Sequence, residues 1–267
     1  MPTPFELLAD PVSLTVFALY AALLLWEALA PARALPLVRG WRARTFVAFA
    51  AYFLVSSYLP LWWGEWLAPL RLVDLTHLGR VEGAMLAFAL YQAGAYAWHR
   101  SMHAFDPLWR AFHQMHHSAE RLDAWSAFWF SPLDMIGWTA LMSLTLAIVG
   151  FSPEAAMLTL YASTFTAIFQ HSNIRTPRWL GYIVQRPESH SHHHARGVHA
   201  DNYADLPVFD LVFGTFRNPR TFAPETGFYD GASRRVGDML RFRDVSVAPE
   251  RARTVRAVLA PIAQGDD

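Results

Sequence analysis

Residues 97–118 read AWHRSMHAFDPLWRAFHQMHHS and residues 188–203 read ESHSHHHARGVHADNY, and each stretch holds five of the chain's twelve histidines. The spacing inside them is regular. His99 and His103 are one helical turn apart, and His113, His116 and His117 stand at i, i+3 and i+4. His190, His193 and His194 repeat the second pattern. Such positions share one face of an α-helix, so the spacing predicts helices that each offer imidazoles to one side. Neighbours at i+3 and i+4 point in slightly different directions, which suits a bridge between two metal ions. Chance placement, or a solvated histidine-rich tract that loosely buffers metals, gives no reason for two matched triplets and a pair.

Zinc sites use three or four protein ligands. Eight histidines in three clusters, with His171 as a ninth, therefore predict two metal ions with open coordination positions. The chain has no cysteine, which excludes a disulfide framework, a thiolate site and a cysteine nucleophile. Any transition metal is then held by imidazole, carboxylate or water, and imidazole suits iron, zinc, copper and nickel alike. Carboxylates at Asp106, Glu120, Asp123, Glu188 and Asp201 could steady the far nitrogens of ligating rings, although capping or surface charge is the commoner use of each. Asp201 and Asn202 are the favoured supports. His192 breaks the shared face and reads as a passenger or a support, His77 as an ordinary loop histidine, and His199 is left open.

The remainder of the chain is apolar, at 54% hydrophobic and 16% charged over 267 residues with a formal net charge of zero. No lysine is present, which fits a GC-rich bacterial genome, and the balance offers no basic face for nucleic acid. Apolar runs at 13–30, 45–63, 82–98, 133–151 and 155–170 approach the roughly 20 residues that cross a bilayer core, the first interrupted by Glu27. The first run lacks a basic leader and reads as a retained span rather than a signal peptide. Arginines crowd the 31–44 and 99–132 loops and the region after 170, and thin out to Arg71 and Arg80 in the 64–81 segment. The positive-inside rule then puts both histidine stretches and His171 on the cytoplasmic side. The expected fold is all-α: an integral membrane bundle of four to five spans or half-spans with a cytoplasmic, histidine-rich helical cap. Residues 1–81 would hold N-terminal spans and an outer loop, 82–220 the catalytic region, and 221–267 a cytoplasmic tail with an arginine-rich helix over 249–262.

HRSMH, HQMHH and HSHHH, with FQHSN before the last and DNYADLPVFDLVFGTF after it, resemble the sterol desaturase and fatty acid hydroxylase superfamily over about residues 82–220. The resemblance implies a membrane enzyme with two histidine-ligated irons that uses dioxygen and two electrons to hydroxylate or desaturate a lipid. It implies His99, His103, His113, His116, His117, His190, His193 and His194 as catalytic metal ligands, with His171 added through the HSN-like stretch. Zinc could replace iron in a purified sample. The spacer HARGVHADNYAD departs from the commoner pattern, which leaves the role of His199 open. With no Gly-x-Gly-x-x-Gly stretch in the sequence, electrons are expected from a separate donor, a ferredoxin or a cytochrome with its reductase. The competing reading is a membrane metal-binding or metal-transport protein. Trp98, Phe128, Trp129 and Phe130 flank the histidines, either as an interfacial aromatic belt or, in part, as the wall of an apolar channel for a lipid tail.

Overall fold

Each of the five apolar runs folds as a helix. The structure, a computed structural model, describes residues 1–248, so the helix expected over 249–262 lies outside the described residues. In chain order come α1 (Pro4–Ala9), α2 (Pro11–Leu29), α3 (Trp41–Leu67) and α4 (Arg80–Ala104). The short pieces α5 (Asp106–Leu108) and α6 (Gln114–His117) precede α7 (Pro132–Ile148) and α8 (Pro153–His171). Then follow α9 (Pro187–His193), α10 (Pro207–Phe213) and α11 (Val236–Met239). The starts are set by local chemistry. Ser131 and Ser152 accept hydrogen bonds from Asp134 N and Ala155 N, each followed by a proline at the first helical position, where its missing N–H costs nothing.

Helices α2 and α3 are long and apolar enough to cross a membrane, while α7 is apolar but only 17 residues long. The core helix of a soluble protein would bury such side chains. Here Leu25, Trp26, Phe46, Val47 and Trp62 are exposed, which in water would be an aggregation surface and in lipid is the matching one.

The two ends of the bundle differ. At one end β1 (Val73–Asp74) pairs in parallel with β2 (Val149–Gly150), Val73 opposite Val149. This clasp joins the 64–81 segment to the turn before α8. From it α4 and α8 run side by side, and at their far ends they deliver His99, His103 and His171. Small residues make the approach close: Ala87, Ala155 and Thr159 are buried between them. A Cβ on Gly83 would sit 3.0 Å from that of Ala155.

The histidine end is closed by aromatic packing and by buried polar ties. Glu27, the one acid inside the first apolar run, accepts from Ala124 N and Asn173 N, both at 2.8 Å. It fastens the end of α2 to the loop after the first histidine stretch and to the loop after His171. Residues after 220 pack into the same core. Glu120 accepts from Gly231 N and Ser233 N, and Val245 N donates to Gln114 of α6.

Gly83→Val should part α4 from α8 and lower stability by roughly 1–3 kcal/mol. Gly64→Ala, where a Cβ meets nothing within 4 Å, should be neutral or slightly stabilising. Thermal melts in detergent compare the two, and equal effects would argue against the close α4–α8 contact.

Candidate metal centre

Nine histidines converge in two sets. His99, His103, His113, His117 and His193 form one, and His116, His171, His190 and His194 the other, with the candidate ligand atoms of each set within 4.8 Å of one another. All nine residues singled out by spacing or resemblance are in these sets. Each triplet divides between them: His113 and His117 join the first set and His116 the second, whereas His190 and His194 join the second and His193 the first. The sets abut, with the rings of His117 and His194 stacked at 4.1 Å. A π-helical turn over Trp109–His113 leads into α6, a device often found at functional sites.

Ring tautomers are fixed by what each Nδ1 touches. His99 Nδ1 is 2.8 Å from Tyr203 O, His103 Nδ1 2.9 Å from His199 O, and His193 Nδ1 2.6 Å from Asp201 O. His171 Nδ1 lies 2.6 Å from Ala167 O. A carbonyl can only accept, so each of these nitrogens carries the proton. His113 Nδ1 donates to the Asp134 carboxylate at 3.1 Å. Five rings thus turn an Nε2 lone pair inward. His99 Nε2 faces His113 Nε2 at 2.9 Å and His193 Nε2 at 3.1 Å. His171 Nε2 faces His116 Nε2 at 3.1 Å and His190 Nε2 at 3.0 Å. Around His99 all three facing rings carry their proton on Nδ1, so their Nε2 lone pairs oppose one another and repel, and a cation among them removes the repulsion. In the second set His171 alone is fixed this way, and the Nδ1 atoms of His116, His190 and His194 are buried without a partner. His103 Nε2 and His117 Nε2 are buried without any partner, as ligand atoms would be. The residues fit a pair of imidazole-bound metal ions.

The three carbonyls that hold His103, His193 and His99 belong to alternate residues of one loop, 199, 201 and 203. His199, Asp201 and Asn202 have φ of 44°, 67° and 52°, left-handed conformations that cost non-glycine residues about 1–2 kcal/mol each. Polar ties hold the loop. Asn202 donates to Ser189 O and Arg217 O and accepts from Arg217 N. Asp210 accepts from Tyr203 N, Ala204 N and Thr215 Oγ1, and burial pushes its carboxyl up to about 6 despite those bonds.

The expected supports are therefore in place, but by a different chemistry. Asp201 acts through its backbone, while its carboxylate faces His192 and Arg217. His199 is outside both sets; its carbonyl holds His103 and its Nδ1 lies 3.0 Å from His117 Nδ1. His77 is exposed on the 64–81 segment. Asp106, Glu120, Asp123 and Glu188 serve as a surface ion pair, a loop tie, a capping box and a partner of Thr176. Asp134 was missed, although it is the one acid in an otherwise apolar helix.

A cavity of about 450 Å³ runs from His99, His113, His116, His171 and His190 to Leu7, Asp10 and Leu61 at the clasp end of the bundle. Its lining along α3 spans Phe49 to Leu61, roughly 18 Å at 1.5 Å per residue. Phe128, Phe130 and Trp138 are among its aromatic lining, with Phe49, Tyr52 and Phe53 of α3. Trp98 and Trp129 are elsewhere: Trp98 packs edge-on to Phe112, and Trp129 packs against Trp41 and donates to Ser118.

Comparison with known proteins agrees with this geometry. A family model described as fatty acid hydroxylase matches residues 84–215. That segment belongs to the fatty acid hydroxylase family. The chain is similar to the ornithine lipid hydroxylase OlsE of Rhizobium tropici, 33% identical over 141 residues, covering 51% of this chain and 42% of that protein. It is also similar to the very-long-chain aldehyde decarbonylase GL1-1 of Oryza sativa, 28% identical over 188 residues, covering 63% of this chain and 27% of that protein. The chain spans less than half the length of these curated relatives. No solved structure matches it. Family and apolar helices together give a membrane location, and the fatty acid hydroxylase segment carries both histidine sets.

Burial holds the imidazoles of His113, His116, His117, His190, His193 and His194 well below the usual histidine range, and neighbouring imidazoles add to the effect. His199 is pushed down to about 4, again by burial. In the unfolded chain these rings titrate near 6.5, so on acidification the unfolded state takes up protons first. Stability is therefore full above about pH 6.5 and is lost as pH falls toward the folded values. The melting midpoint of chelator-treated protein should drop between about pH 7.5 and about pH 5, and a flat profile would show that the rings are not held neutral by burial.

Proposed function

We propose that the chain is a di-iron oxygenase that hydroxylates or desaturates a lipid C–H bond, with hydroxylation favoured by the relative named as a lipid hydroxylase. The observation that carries this reading is the opposition of the His99, His113 and His193 Nε2 lone pairs, within two abutting histidine sets at the end of an apolar cavity. His99, His103, His113, His117 and His193 would hold one ion and His116, His171, His190 and His194 the other. The metal pair, when bound, supplies redox chemistry on dioxygen with electrons from a separate donor protein, a ferredoxin or a cytochrome with its reductase.

The chain's own residues do the rest. Asp134 and the carbonyls of 199, 201 and 203 fix ring tautomer and direction, so the inward nitrogens stay unprotonated at neutral pH. Phe128, Phe130 and Trp138 exclude water and confine an acyl chain lengthwise, so that depth in the cavity selects the carbon presented to the histidines. A transporter would set its ions near the bilayer midplane on broken helices. The sets here are built from the last turns of α4 and α8 and the short helices that follow them, against that alternative. The arginine asymmetry supports a bacterial inner-membrane location with the histidine end in the cytoplasm.

Purified protein should carry close to two metals per chain; zinc would serve as well as iron in this count, since imidazole accepts both. His116→Ala and His193→Ala should each lower the number and abolish incorporation of isotopically labelled dioxygen into membrane lipid. Asp134→Asn should weaken metal binding about 10–100-fold. Full metal retention in both histidine variants would sink the proposal. Sidedness is checked separately: reporter fusions at residue 75 and after residue 248 should report opposite sides of the membrane, and matching signals would overturn the cytoplasmic placement.

A further inference from the structure

The cavity wall contains a carboxylate that neither metal set uses. Asp205 lines it, two residues beyond the carbonyl that holds His99. Its Oδ2 accepts from Gln92 Nε2 at 2.8 Å and Thr166 Oγ1 at 2.6 Å, and its Oδ1 accepts from Gln170 Nε2 at 2.8 Å. Its backbone N–H donates to Gln92 Oε1 at 2.8 Å. All three side-chain donors are neutral, and no arginine or histidine side chain pairs with Asp205 among the described residues. Gln170 immediately precedes His171, so this cluster stands one residue from the second histidine set. Among the lining residues the charged side chains are Asp205 and, at the far end, Asp10; no arginine lines the cavity.

A half-buried carboxylate among neutral donors is held in place but not neutralised, and a partly desolvated charge without a counter-charge is costly. A carboxylate also has about four acceptor sites, of which the three side-chain donors occupy three. The position is thus preorganised for one more donor, preferably charged. The same wall disfavours a free fatty acid, whose carboxylate would meet negative charge and no cation.

We propose that Asp205, held by Gln92, Gln170 and Thr166, is the specificity-determining group of the cavity and receives the protonated amine of a lipid substrate beside the histidines. This rests on the lipid-oxygenase reading for its biological meaning, but binding alone tests it. Full-length metal-loaded protein in lipid nanodiscs would be titrated with two radiolabelled probe lipids of equal chain length, one with a free primary amine and one with that amine acetylated. The wild-type protein should bind the free amine at least about tenfold more tightly, the range of one charge-assisted hydrogen bond. Asp205→Asn should reduce the preference below about threefold with metal content unchanged, and Asp205→Glu should retain part of it. Equal binding of the two probes by wild type overturns the proposal. So does an Asp205→Asn variant that keeps the preference, or that loses metal and weakens both probes alike, since Asp205 would then act on the loop or the metal centre. An amine preference without oxygen incorporation would refute the oxygenase reading alone, and incorporation without the preference would refute this site alone.

Discussion

The arrangement depends on one electrostatic constraint: five of the nine clustered imidazoles are turned so that an unprotonated Nε2 faces inward toward neighbouring rings. Left to themselves, rings this close would rotate until an N–H met each lone pair. Rotation is blocked because the opposite nitrogens are already committed, to Tyr203 O, His199 O, Asp201 O, Ala167 O and Asp134. Three of those acceptors are presented by a loop with three non-glycine residues in the left-handed region. Its strain is offset by the bonds of Asn202 and Asp210, so orientation of the rings is maintained at a cost met elsewhere in the fold.

The division of each triplet follows from helix geometry. At 3.6 residues per turn, i and i+4 lie roughly 40° apart, while i+3 falls about 60° to the other side of i. Two imidazoles at i and i+4 can therefore share one centre, and the third is aimed at its neighbour. Two such triplets facing each other, with the roles exchanged, generate the cores of two adjacent sets from six residues. His99 and His103 complete one set from the end of α4, and His171 the other from the end of α8. This requires α4 and α8 to end at the same level. The β1–β2 clasp at their starts and the small-residue contact at Gly83 fix that register.

The spacing of histidines is a covalent property of the sequence, and so eight of the nine residues were legible in it as three clusters; His171 came through the family resemblance, and which ring joins which set emerged only from the fold. The helices were legible as apolar runs for the same reason. What orients the rings was not. Backbone carbonyls have no residue-type signature, and their direction depends on φ values at His199, Asp201 and Asn202 that only the folded loop defines. Attention to Asp201 and Asn202 therefore found the right place with the wrong atoms. Asp134 is near His113 in space but 21 residues away in sequence, and the nearer acids turned out to cap and tie loops. The aromatic wall was legible in part: Phe128 and Phe130 line the cavity, whereas Trp98 and Trp129 sit beside the histidines along the chain but face elsewhere, and Trp138, one turn beyond Asp134, faces the cavity instead.

A ligand set of neutral imidazoles has a chemical consequence that carboxylate ligands would remove. Hard cations such as magnesium and calcium take oxygen donors, so an all-nitrogen set discriminates against the abundant ions and toward transition metals. It also leaves the charge of any bound ion uncancelled by its ligands. The acids nearby stand one residue further out: Asp134 on His113, and Asp210 on the loop that holds His99. Negative charge is thus placed where it can steady rings and loop without taking a coordination position. A metal ion held this way would keep its charge uncancelled by its ligands, and the apolar cavity that meets the histidines would keep bulk water from screening it.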